Sequence, residues 1–347
     1  MKTYYSEDHR LHHGSTELIG GELKPCFEMP SRADMVLDRV RAVGLGEVLA
    51  PSEFGLDPVL RVHDRGFVDF LSTAWSEWVA IGRTHDALPL IWPIRGLRSD
   101  RVPRDIDGKL GYYSMDAGVP ITSGTWAAVR SSANVALSAA RLLHEGSGAA
   151  FALCRPPGHH AAADYMGGYC YLNNAAIATQ YLRDQGAARV AVLDVDYHHG
   201  NGTQTIFYRR ADVAVANLHG DPAVEYPSFL GYADEPGEGE GLGFNFNYPL
   251  PHGTAWDTYG AALTDACGKL AAFGPDAVVV SLGVDTFEHD PISCFKLKND
   301  DYLRIGEAIA KLGRPTLFVL EGGYAVADIG VNAVNVLTGF EQARLKA

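Results

Sequence analysis

The chain has 347 residues, 47% of them apolar, enough to bury a sizeable core in one large α/β domain or two small ones. Its 42 acidic and 29 basic residues leave a formal charge of -13, which argues against a nucleic-acid partner and favours the approach of a cation. The charged opening lacks a signal-peptide core, no apolar run reaches spanning length, and the five scattered cysteines suit neither a thiolate zinc site nor a disulfide framework. The expectation is therefore a cytoplasmic protein with no membrane partner and with free thiols.

In chain order, apolar residues recur at helical spacing over 31–43, 67–81 and 125–143, which predicts three helices. Between the last two, 82–123 carries Pro, Gly and Arg without a clear period and reads as one long loop. From about residue 149 the character changes. Short β-branched and apolar runs at 149–154, 190–195, 213–218, 277–282 and 316–320 alternate with helical patterns at 173–183, 258–273 and 302–312. Each of these helical patterns is followed by a glycine suited to a C-cap. The alternation predicts a single α/β domain over 1–347, with a central, mostly parallel sheet flanked by crossover helices. No internal repeat or low-complexity tract divides it.

Ligands of such sheets bind at the carboxyl ends of the strands, and here those ends are strongly polar. They read Arg155-Pro156-Pro157-Gly158-His159-His160, Asp194-Val195-Asp196-Tyr197-His198-His199, Leu218-His219-Gly220-Asp221, Gly283-Val284-Asp285-Thr286 and Glu321-Gly322-Gly323-Tyr324. Asp194, Asp196 and His198 alternate along an extended segment and leave on one face. Two of them can therefore share a metal with Asp285 from another strand end, in the three-ligand pattern of a catalytic zinc. Singly, the aspartates also suit helix caps and the histidine an ordinary strand end. Several unrelated ends delivering His, Asp and Tyr to one rim favour the metal site.

These strand ends, together with Gly167-Gly168-Tyr169-Cys170-Tyr171-Leu172-Asn173-Asn174, Gly200-Asn201-Gly202-Thr203-Gln204 and Asp290-Pro291, resemble the arginase/deacetylase superfamily over nearly the whole chain. Within its histone-deacetylase-like branch they are similar to the acetylpolyamine amidohydrolases. The resemblance implies the arginase/deacetylase fold and one catalytic Zn2+ on Asp196, His198 and Asp285. Two-manganese relatives place two acids close together where this chain has Asp285 before Thr286. It further implies that His160 is general base and acid, that His159 orients the water, and that Tyr324 stabilises the oxyanion. Asp194 and Asn201 would be the partners of His159 and His160; with Asn in place of Asp at His160, the two rings should differ in basicity. Tyr169 would line the acyl channel. Structural K+ is implied at Asp194 with the backbone of Asp196, His198 and Leu218, and at the backbone near Phe207, Val213 and Phe244; Asn217 stands where many relatives have serine.

For the substrate, the resemblance implies a small cationic acetylated amine. Glu17 lies in a loop similar to the polyamine enzymes' and would pair with a secondary ammonium. The loop 82–123 would narrow the active-site mouth across a homodimer, its acids Asp105, Asp107 and Asp116 lining the entrance. A protein-lysine or other acyl-amine deacetylase is the second reading, and a non-catalytic binding protein of this fold the third.

Overall fold

The computed structural model describes residues 1–346. In chain order the elements are β1 (Lys2–Tyr4), β2 (Thr16–Ile19), β3 (Glu22–Pro25), α1 (Ser31–Ala42), β4 (Val48–Leu49), α2 (Asp57–Leu60), α3 (Arg65–Ala80), α4 (Ile106–Tyr112), α5 (Thr125–His144), β5 (Ala149–Ala152), α6 (Asn174–Asp184), β6 (Val190–Asp194), α7 (Asn201–Phe207), β7 (Val213–Gly220), β8 (Asn245–Leu250), α8 (Trp256–Phe273), β9 (Ala277–Leu282), α9 (Asp301–Ala310), β10 (Thr316–Leu320) and α10 (Ile329–Arg344). Eight strands pair in parallel in the order β4-β1-β5-β10-β9-β6-β7-β8, while β2 and β3 form a separate antiparallel hairpin.

Parallel sheets need helices on both faces, so their central strands are apolar on both sides. β5, β6, β9 and β10 are buried at every position. Alternation still sorts their side chains between faces. Ala191, Leu193, Val278, Val280, Phe318 and Leu320 pack with Leu37 of α1, Leu263 of α8, Ile305 of α9 and Leu337 of α10. On the other face, Val190, Val279, Leu317 and Val319 meet Ala136 and Ala140 of α5 and Ala178 and Leu182 of α6. Among the glycines that follow the predicted crossover helices, Gly274 caps α8 with φ +70°, and Gly186 and Gly313 also take positive φ after α6 and α9.

The topology concentrates chemistry at the sheet's centre. The chain runs from β5 across to β6, outward through β7 and β8, then back to insert β9 and β10 between β6 and β5. Four neighbouring strands, β5-β10-β9-β6, therefore end side by side at this reversal, where an open α/β sheet leaves a crevice for ligand.

The predicted loop 82–123 is not wholly irregular. Asp105 caps the short helix α4 by accepting from Gly108 N at 2.9 Å. Ala87 and Ile121 form an antiparallel bridge that pins the ends of the segment together. Glycines at 108 and 111 interrupt the helical period, which hid α4. Its Ile106 and Leu110 join Phe67, Phe70 and Trp78 of α3 in a satellite core.

Candidate active site

Each central strand end contributes to one buried cluster. Asp196 and His198 follow β6, Asp285 follows β9, and their ligand atoms all lie within 4.8 Å of one another. His198 Nδ1 is 3.0 Å from Asp285 Oδ2 and 3.5 Å from Asp196 Oδ1. Backbone N–H groups hold the carboxylates: Tyr197 N donates to Asp285 Oδ1 at 2.8 Å, and Gly322 N to Asp196 Oδ2 at 2.8 Å. A Cβ on Gly322 would stand 2.6 Å from both Asp196 Oδ2 and Asp285 Oδ2. Glycine is thus required where β10 passes the two carboxylates.

Asp194 does something else. Its Oδ1 accepts from Asp196 N at 3.1 Å, and its Oδ2 is 3.0 Å from His159 Nδ1. The helix-cap alternative fails, because the N-cap of α7 is Gly200, with no side-chain cap. His160 Nδ1 is 2.7 Å from Asn201 Oδ1, at the first position of α7. The two imidazoles stack obliquely with centroids 4.0 Å apart. Glu321, at the end of β10, accepts from Gly158 N at 2.6 Å and His159 N at 3.1 Å and so anchors the turn that presents both rings.

These surroundings drive the rings apart in basicity, in the direction expected from Asp194 and Asn201. Burial disfavours a charge on His159, but the carboxylates of Asp196 and Asp194 outweigh it and lift the pKa to about 10. At His160 burial acts with the charges of His159 and His198, and the ring is held well below its ordinary value. Burial and the neighbouring Asp196 push Asp285 up to about 7. Burial raises the Tyr324 hydroxyl well above the phenol range, leaving it a hydrogen-bond donor.

The cluster opens into a cavity of about 430 Å³, whose lining includes His160, His198, Tyr169 and Tyr324 together with Glu17 and Asp116. Tyr324 packs its ring 5.5 Å from that of Tyr169 and 4.7 Å from the Arg32 guanidinium. Its backbone N donates to Asp290 Oδ2 at 2.7 Å. Arg32 in turn donates to the carbonyls of Gly323 (2.7 Å) and Glu321 (2.6 Å) and pairs with Glu28, which also binds Arg155.

Two expectations about the mouth need correction. Glu17 lies on β2 of the hairpin and not in a loop, only 2% exposed, with Oε1 accepting from Phe27 N at 2.6 Å. Burial raises its pKa, partly offset by a hydrogen bond from Tyr169. Asp105 and Asp107 do not line the entrance, since one caps α4 and the other pairs with Arg83. Asp116 does reach the cavity, as a half-buried acceptor for Gly118 N, Gly168 N and Tyr226 Oη. Sequence reasoning missed Tyr226, whose ring stands edge-on to His160 at 5.1 Å, and also Glu225 and Ile292 on the cavity wall. They sit in connections without periodicity. Tyr226 beside Pro227 was the only local signal.

The histone deacetylase domain family matches residues 26–340. The chain is 66% identical to acetylpolyamine amidohydrolase 2 of Pseudomonas aeruginosa, over 98% of this chain and 99% of the other. It is 53% identical to acetylpolyamine amidohydrolase of Mycoplana ramosa, over 98% and 99%. A crystal structure of acetylpolyamine aminohydrolase from Burkholderia pseudomallei superposes with a TM-score of 0.94 at 41% identity, covering 99% of each chain.

Proposed function

Since the chain belongs to the histone deacetylase domain family and is a deacetylase, we propose that it hydrolyses the acetyl amide of acetylated polyamines, giving the free amine and acetate. The observation that carries this reading is the cavity: it ends on the Asp196–His198–Asp285 cluster and its wall carries the acids Glu17, Asp116 and Glu225. A slender cation fits such a channel, and the chain's charge of -13 favours its approach.

The donor set fits a metal. Among the described residues neither carboxylate of the cluster is paired with Lys or Arg, and both are fully buried, an arrangement that is costly without a cation. Two carboxylates and one imidazole suit zinc, which when bound polarises a carbonyl and lowers the pKa of water. In this reading His160, neutral and hydrogen-bonded through Nδ1 to Asn201, takes the water's proton at Nε2 and returns it to the leaving amine. His159, hydrogen-bonded through Nδ1 to Asp194, orients the water and stabilises negative charge. Tyr324 Oη donates to the developing oxyanion, while Tyr169 and Tyr226 flank the acyl chain. Structural potassium belongs to the same proposal: Asn217 pairs in register with Asp194, and both polar atoms of its side chain are buried without partners.

Self-association through 82–123 is also part of this reading. Leu90, Ile91, Ile94 and Leu97 are all more than half exposed there, an apolar row that a second copy would cover. Comparing acetylputrescine, acetylspermidine and an acetyl-lysine peptide on the zinc enzyme tests the assignment. The acetylated polyamines should have the higher specificity constants. Preference for the peptide would transfer the assignment to a protein-lysine deacetylase.

A further inference from the structure

Beside the cavity stands a second group of ligating side chains that the hydrolytic site does not use. Glu225, His252 and Cys294 bring a carboxylate, an imidazole and a thiol within 4.8 Å of one another. They come from three loops: the segment after β7, the turn after β8 and the segment before α9. Gly253 N donates to Cys294 O at 2.8 Å and fixes two of these loops together, and His252 is ion-paired to Glu225. The Tyr197 hydroxyl is fully buried and has no hydrogen-bond partner. It stands beside Glu225, for a Cβ added at Gly220 would lie 3.0 Å from Glu225 Cγ and 3.1 Å from the Tyr197 hydroxyl. Oxygen, nitrogen and sulfur together are the donor types of zinc. Tetrahedral zinc holds its donors roughly 3–4 Å apart, and the His252 side chain is 48% exposed.

We propose that Glu225, His252 and Cys294 form a second zinc-type cation site at the active-site mouth, and that filling it weakens the binding of cationic substrate. The first half stands on the donor geometry alone. The second half rests on the polyamine reading above. Glu225 lines the cavity, so a divalent ion held there, with the Cys294 thiol giving up its proton, cancels the negative charge that attracts a cation. Tyr197 joins the two sites, its hydroxyl beside Glu225 while its backbone N binds Asp285.

Thiol chemistry tests the site without any substrate. Cys26, Cys154, Cys170 and Cys267 are buried, so Cys294 is the thiol that an alkylating reagent reaches. In enzyme already carrying one zinc per chain, further Zn2+ at about ten times its dissociation constant should slow alkylation of Cys294 about tenfold. His252→Ala should lose most of that protection. Co2+ should give a thiolate-to-metal absorption band that Cys294→Ser abolishes, because the Asp196–His198–Asp285 cluster contains no sulfur. Cys294→Ser and His252→Ala should both keep the activity of the one-zinc enzyme. An alkylation rate indifferent to zinc, or a cobalt band that survives Cys294→Ser, overturns the site. The second equivalent should also raise KM for acetylspermidine, leaving kcat and the hydrolysis of a neutral acetyl amide unchanged. Protection of Cys294 with an unmoved KM overturns the regulatory half and leaves the polyamine assignment untouched.

Discussion

The strand-end rim and the cavity mouth are built on different principles. At the rim, backbone N–H groups hold Asp196 and Asp285, and the turn before His160 donates its own N–H groups to the Glu321 carboxylate, with distances of 2.6–3.1 Å. At the mouth, the lining comes from the hairpin, from 116–118 and from the Glu225–Tyr226 loop, and Leu18 and Leu23 remain 52% and 68% exposed. A scaffold fixes the chemistry, while loops that tolerate change decide what enters. Substitutions at the rim should therefore lower turnover for every substrate, and those at the mouth should re-rank substrates.

The largest effect should come from Asp285→Ala. Partners behind a metal ligand typically cost about 10–100-fold, so loss of the ligand itself should cost more and remove metal and activity together. Metal analysis beside a rate assay checks this, and an active Asp285→Ala enzyme would break the comparison at its root. Tyr324→Phe should keep its metal and lose about a hundredfold to a thousandfold in kcat, the usual cost of an oxyanion donor. Near-normal turnover would reduce Tyr324 to a wall residue. Asn201→Ala frees the His160 ring from its 2.7 Å hydrogen bond and should cost about 10–100-fold on polyamine and neutral amide alike. A loss confined to one substrate would move Asn201 to the mouth's side of the comparison. Smallest is Glu17→Gln, expected to lower the specificity constant for acetylspermidine about fivefold, with a neutral acetyl amide unaffected. Equal losses on both would mean that Glu17 serves the hairpin through Phe27 and Tyr169 and not the substrate.

The same division governed what the sequence disclosed. β9 and β10 are continuous apolar runs bounded by turn residues, and their limits were legible to the residue because burial on both faces leaves no polar interruption. β1, β4 and β8 escaped. Two are only three and two residues long, and β8, Asn245–Leu250, mixes asparagines and a proline into an edge strand. α10 also escaped, its amphipathic period blurred by Gly330 and Gly339, which let the helix backbone close on Met35 and Leu303. The convergence of Asp196, His198 and Asp285 was visible because strand ends are predictable places. Tyr226, Glu225 and the cap role of Asp105 were not, since tertiary contact alone gives them their positions.

Arg32 ties the two ends of the chain together. Its guanidinium reaches across 291 residues to the Gly323 carbonyl and lies against the Tyr324 ring. During synthesis, the early segment around Arg32 must wait for β10 to emerge before its buried charge and Glu28 find their full set of partners. Contacts of such sequence separation are slow to form, so hydrolytic competence arrives only with the last strand of the sheet. A chain cut before β10 leaves Arg32 without its two carbonyl partners and lacks Tyr324 altogether.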